Sequence, residues 1–240
     1  MIEVETPLLA RAQGLIGRAA EAGVAARLFG GLAVPTLLGE RWPDGCRRPS
    51  GDIDVAAPKS QRRQLTDLMV ESGFNPDQQF NALHGAERLV FHDDAGTRVD
   101  VVLGLLRMCH EIPLDAAFET PGATLPAWLL LVSKLQVVEL TEKDRLDAAA
   151  LLSACEFDEL EAGRIAQLCS TDWGLWRTLT GTLESIALDP PALAPAFAQR
   201  LAENCRWLVA TLTAAPKSMR WRLRARVGDR VRWYELPESP

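Results

Sequence analysis

A chain of 240 residues, 48% hydrophobic and 24% charged, has the composition of an ordinary globular protein and is long enough to bury a core in one large domain or two small ones. No stretch approaches the roughly 18 apolar residues of a membrane span, and MIEVETPLLARAQ lacks the basic-then-apolar plan of a signal peptide, so a cytoplasmic location without membrane partners is expected. The net charge of −6 is uneven: residues 217–240 hold seven Lys/Arg against three acids, a balance of +4, which leaves −10 on residues 1–216. Five cysteines, odd in number and never spaced as C-x-x-C, read as reduced thiols rather than as a disulfide or zinc framework.

Apolar positions at helical spacing predict an amphipathic helix over 7–26, then a short strand Ala26–Phe29 running into Gly30-Gly31 and a brief helix Leu32–Leu38. The segment 39–51 is rich in Gly, Pro and charge and reads as a loop. Ile53–Ala57 alternates as a strand ended by Pro58, and Lys59–Ser72 has helical periodicity closed by Gly73. Phe74–Phe80, Glu87–His92 and Arg98–Leu103 follow, the last two joined by the turn-forming Asp93-Asp94-Ala95-Gly96 as a hairpin. Residues 104–125 show no regular pattern. Helices are predicted at about 126–140, 143–154, 158–169, 173–187 and 192–213. In the tail, Arg220, Arg222, Arg224 and Arg226 alternate with Trp221, Leu223 and Ala225. That pattern predicts a strand with one basic face, folded into a hairpin at Gly228-Asp229. Such a face could meet an RNA backbone; a tail packed on the acidic body fits the pattern equally.

The chemistry concentrates between Gly30 and Asp100. A glycine pair directly after a strand lets the backbone approach a phosphate with its amides turned inward. Asp52 and Asp54 stand two apart beside a strand and project from one face, where paired carboxylates repel unless a cation lies between them; oxygen ligands alone suit Mg²⁺. Asp100 is an isolated charge in the apolar run Arg98–Leu103, costly there unless bound to something. Lys134 falls in the apolar helix WLLLVSKLQVVEL, a pattern that a snorkelling lysine also fits, and Lys143-Asp144 with Asp147 suits a helix start with favourable charges.

The order Gly-Gly, then Arg48-Pro49-Ser50-Gly51-Asp52-Ile53-Asp54, then a third Asp on a later strand resembles the polymerase-beta-like nucleotidyltransferase superfamily. Within it, Lys134 followed by Lys143-Asp144-Arg145-Leu146-Asp147 is similar to the bacterial abortive-infection (AbiEii-like) toxin nucleotidyltransferases. The resemblance spans about residues 25–155, and Gly31 stands where the superfamily commonly has serine.

That resemblance implies an α+β fold. Taken with the element pattern and the charge of the tail, a small mixed-sheet nucleotidyltransferase domain with flanking helices would fill 1–120, a helical domain 121–216, and a basic tail or hairpin 217–240. It also implies that Asp52 and Asp54 hold two Mg²⁺ ions, one of them carrying the triphosphate. Asp100 would bind the second ion and draw the proton from the attacking hydroxyl. Gly30, Gly31 and Ser50 would hold phosphate oxygens, Arg48 or Lys134 would neutralise charge, and Asp147 would orient Lys134. The implied activity moves a nucleoside monophosphate from an NTP to a hydroxyl of RNA or tRNA, protein or an aminoglycoside-like small molecule. A toxin–antitoxin setting with an antitoxin partner is implied as well. The alternative is a catalytically silent nucleotide-binding regulator, or an interaction protein on the same fold.

Overall fold

The structure, a computed structural model, describes residues 7–236. Among them are ten α-helices, a five-stranded mixed sheet and a separate two-stranded sheet, so the protein is α+β. The chain forms two compact units. The first comprises Met1–Gly39, Pro49–Leu106 and Ile112–Pro126, and the second comprises Glu40–Arg48, Arg107–Glu111 and Ala127–Pro240. The second unit thus takes in two short stretches that a single boundary near residue 120 leaves in the first half.

In the first unit, α1 (Pro7–Glu21) is followed by β1 (Arg27–Phe29), α2 (Gly30–Leu38), β2 (Ile53–Ala57), α3 (Arg62–Glu71), β3 (Asn75–Pro76), α4 (Gln78–His84), β4 (Arg88–His92) and β5 (Arg98–Leu103). The strands lie in the order β1-β2-β5-β4-β3; β2 and β5 are parallel and the other neighbours antiparallel. Paired residues share a face, and successive residues alternate. One face therefore carries Leu28, Ile53, Val55, Leu89, Phe91, Val99, Val101 and Leu103, all buried. Each such side chain contributes roughly 1.5–3 kcal/mol by leaving water. The opposite face carries Arg27, Asp54, Arg88, Val90, Arg98, Asp100 and Val102. One face builds the core and the other carries the charge. The buried stripe Leu9, Ala12, Leu15, Ile16 and Ala19 packs α1 against β1, α2 and α3.

Two details add to the sequence reading. Phe74–Phe80 is not one element: β3 gives way to α4, which Asp77 caps by accepting a hydrogen bond from the Phe80 amide at 2.9 Å, and Gln78, Ala82 and Leu83 favour that helix. The stretch 104–125 is not wholly irregular, because β6 (Leu105–Arg107) and β7 (Glu111–Pro113) pair as the small second sheet.

The second unit is built from α5 (Ala127–Leu135), α6 (Glu142–Ala154), α7 (Ala162–Thr171), α8 (Trp173–Leu188), α9 (Pro195–Ala214) and α10 (Met219–Val227). The longest, α9, packs against α6, α7 and α8, and α5 packs on the same three. Buried Asn204 ties α9 to the end of α6, donating to the carbonyls of Leu152 (2.8 Å) and Cys155 (3.3 Å). The strand and hairpin expected over 220–234 are absent. Ser218 caps α10 at the Trp221 amide (3.1 Å), and Met, Arg, Leu and Ala are strong helix formers once no neighbouring strand offers a ladder. The residues after α10 return to α8: Trp233 Nε1 donates to Thr178 Oγ1 at 3.0 Å, and buried His110 Nε2 lies 2.9 Å from the same oxygen.

Candidate functional site

The sequence-predicted residues fall into two groups, one in each unit. In the first unit, β1 passes into α2 without a connecting loop. Gly30 makes that turn with φ +67, and a Cβ there would fall 1.9 Å from Asp54 Oδ2 and 2.7 Å from its Cγ. Glycine is required twice, for the left-handed backbone and for the approach of the carboxylate. Gly31 follows in the first turn of α2, where amide N–H groups have no intrahelical acceptor. Asp54 is half-buried on β2, Asp52 is exposed just before the strand, and Ser50 is half-buried in the preceding loop.

Asp54 and Asp100 are direct partners in the parallel ladder. Adjacent strands run about 4.8 Å apart, so two carboxylates on one face would repel. Two arginines relieve this. Arg88 Nε and Nη2 donate to Asp100 Oδ1 at 2.9 and 2.6 Å, and Arg98 Nε lies 2.7 Å from Asp100 Oδ2. Asp100 is 5% exposed, so this double ion pair is what permits a charge in the sheet. Sequence reasoning missed both arginines, although their signal was present. Arg98 stands two residues before Asp100 on the same strand face, and the hairpin register sets Arg88 opposite Val102, one diagonal step away.

The Mg²⁺ set implied by Asp52, Asp54 and Asp100 can be tested on this arrangement. Both Asp100 oxygens are held by arginine, and among the described residues no group of three or more His, Cys, Asp or Glu stands close enough to hold a metal ion. The three aspartates as arranged do not form a metal-holding set.

The second unit contains Arg48, Lys134 and Asp147. Asp147 is 1% exposed on α6 and receives the Arg48 guanidinium as a fork, Nε to Oδ1 at 2.9 Å and Nη2 to Oδ2 at 2.5 Å. Lys134 Nζ on α5 lies 2.9 Å from Asp147 Oδ2 and 3.1 Å from Asp144 Oδ1. Thr141, the cap of α6, donates to Asp144 Oδ2 at 2.7 Å. Two cations and two carboxylates thus share one part-buried network centred on Asp147. Burial pulls the Lys134 ammonium down, but Asp147 and then Asp144 outweigh it and hold the pKa above the ordinary lysine value. Lys134 is therefore a fixed cation and not a proton acceptor. Asp147, which the sequence set beside Lys134, is ion-paired with it here; Asp144 is a fourth member that sequence reasoning treated only as a helix start. Cys46 is buried, its thiol pushed up to about 12 by burial and secondarily by the charge of Asp147, so it is no nucleophile at neutral pH.

No helix among the described residues is long and apolar enough to cross a membrane. No family model matches the chain, and no curated protein matches it.

Proposed function

We propose that this protein is a nucleotidyltransferase that moves a nucleoside monophosphate from an NTP to an acceptor hydroxyl, with its nucleotide site on the charged face of the five-stranded sheet. The observation that carries this reading is the convergence of three sequence-predicted residues on that face: Gly30 at the β1–α2 turn, the Asp54 carboxylate packed on it, and Asp100 in register one strand over. A left-handed glycine opening a helix directly after a strand leaves first-turn amides able to receive phosphate oxygens, and Gly31 keeps that approach clear of side chains.

A second reading has its own observation. Asp100, the residue assigned to proton removal by resemblance, is neutralised by Arg88 and Arg98. A site whose third acid is tied to two arginines suits a regulator that binds nucleotide without turning it over.

The two readings separate in one experiment. The protein is titrated calorimetrically with each Mg·NTP and incubated with α-labelled NTPs in the presence of tRNA, protein and aminoglycoside acceptors, beside an Asp52→Ala/Asp54→Ala control. Label transfer that the control lacks supports the transferase. Nucleotide binding without pyrophosphate release supports the regulator, and no binding of any NTP overturns both.

A further inference from the structure

The helix α10 is held by one side only. Trp221 meets Trp176 edge-on with centroids 5.3 Å apart, and the Arg224 guanidinium lies 4.5 Å from the Trp173 ring while donating to the carbonyls of Gly228 and Val231. These contacts fix the inner side of the helix on α8. At 100° per residue the other side presents Met219, Leu223 and Val227 in a line one turn apart, 70%, 57% and 40% exposed. Exposed Arg222 and Arg226 flank this stripe on one edge and exposed Arg220 on the other. Arg220, Arg222, Arg226 and Arg230 are all exposed, and none forms an ion pair with a described residue.

We propose that the outer face of α10 is a docking surface for an acidic amphipathic helix of a protein partner, one with aliphatic residues a turn apart flanked by Asp or Glu. The chemistry selects this occupant over other anions. Nucleic acid would satisfy the arginines but leave Met219, Leu223 and Val227 against water. It would also want free aromatic faces to stack on, whereas Trp221 and Trp233 are turned inward onto other tryptophans. A bilayer surface needs a longer apolar stripe with Trp or Phe at its edge; nine residues give about 13 Å of helix and three aliphatic side chains. A partner helix matches both features at once: its aliphatic row closes over the stripe, and its acids pair with arginines on both rims.

The test displays a library of helical peptides, roughly 14 residues or four turns long, and selects on the full protein. Two variants are run in parallel, Arg220→Glu/Arg222→Glu/Arg226→Glu and Met219→Ser/Leu223→Ser/Val227→Ser, with circular dichroism checking that these surface changes leave the fold intact. The expected result is enrichment of peptides pairing aliphatic residues one turn apart with flanking Asp or Glu, whose Kd rises at least about tenfold with either variant. A single-stranded RNA oligomer and phosphatidylglycerol vesicles are the competing arms. Tighter binding of either than of the best peptide, no enrichment, or enrichment indifferent to both variants overturns the proposal.

Discussion

Gly30 and Asp54 are so closely apposed that the smallest added side chain on the glycine would fall 1.9 Å from a carboxylate oxygen of the aspartate. The contact couples the backbone at the β1–α2 turn to the chemistry-bearing strand. Gly30→Ala should cost at least about 2 kcal/mol, combining a left-handed alanine with displacement of Asp54. Urea denaturation measures the loss. A midpoint unchanged from the parent would show that the turn relaxes freely and that the apposition is incidental.

The arginine pair on Asp100 predicts an asymmetry. Arg88→Gln or Arg98→Gln should each lower stability by about 1–2 kcal/mol, because one charge-assisted partner remains. The double variant should lose more than the sum of the two, since it leaves a buried carboxylate unpaired. The same double variant should bind Mg²⁺ more tightly than the parent if Asp100 is a latent ligand. Calorimetry with the metal alone decides this, and an unchanged affinity would confine Asp100 to a structural role.

In the second unit, Asp147→Ala should be the most damaging single change, costing about 3–5 kcal/mol by removing the carboxylate that Arg48 and Lys134 share and leaving Lys134 with Asp144. Lys134→Met should cost less, because Arg48 still answers Asp147 and Thr141 still answers Asp144. The raised pKa of Lys134 fixes the sign of the pH effect. Its contribution is complete below the unfolded lysine value near 10.4 and is lost as pH rises beyond it. Stability curves of parent and Lys134→Met should therefore converge toward high pH.

His110 predicts the opposite limb. Burial lowers its pKa, with Asp172 offsetting part of the effect, so the folded protein resists protonation where the unfolded chain accepts it. Stability should fall as pH drops through about 6.5. His110→Gln should flatten that fall, and tryptophan fluorescence would follow any loosening of Trp233 from Thr178.

Cys46, Cys155, Cys169 and Cys205 are buried and pushed up to about 12 by the loss of solvation, each first by burial. At pH 8 these thiols should resist iodoacetamide in the native protein and react on unfolding. Mass spectrometry resolves each site, and rapid labelling of native Cys46 would contradict the closed network around Asp147.

The elements legible in the sequence were those carried by strong periodicity. The helices α5 to α9, the strands β2, β4 and β5, and the glycine turn all fall within a few residues of expectation, except that α5 ends at Leu135 rather than near 140. The tail was misread because alternation of Arg with apolar residues mimics a strand; the deciding facts were a serine cap and tryptophans already engaged with α8. The arginines on Asp100 were hidden for another reason. Their role depends on strand register, which a single sequence specifies only after the pairing is known. Arg48 was expected at phosphate, but its fork is closed on a residue 99 positions away, a relation that local pattern cannot contain.

The division of the five-stranded sheet into an apolar and a charged face sets different tolerances for different kinds of genetic change. Substitution at Asp100, Arg88 or Arg98 alters one face and leaves Val99, Val101 and Leu103 where they are. Deleting a single codon within β5 would invert the strand instead, driving the aspartate into the hydrocarbon interior and turning three aliphatic residues toward the charges. Lineages carrying this chain should therefore accumulate point changes on the charged face while keeping the length of β5 constant.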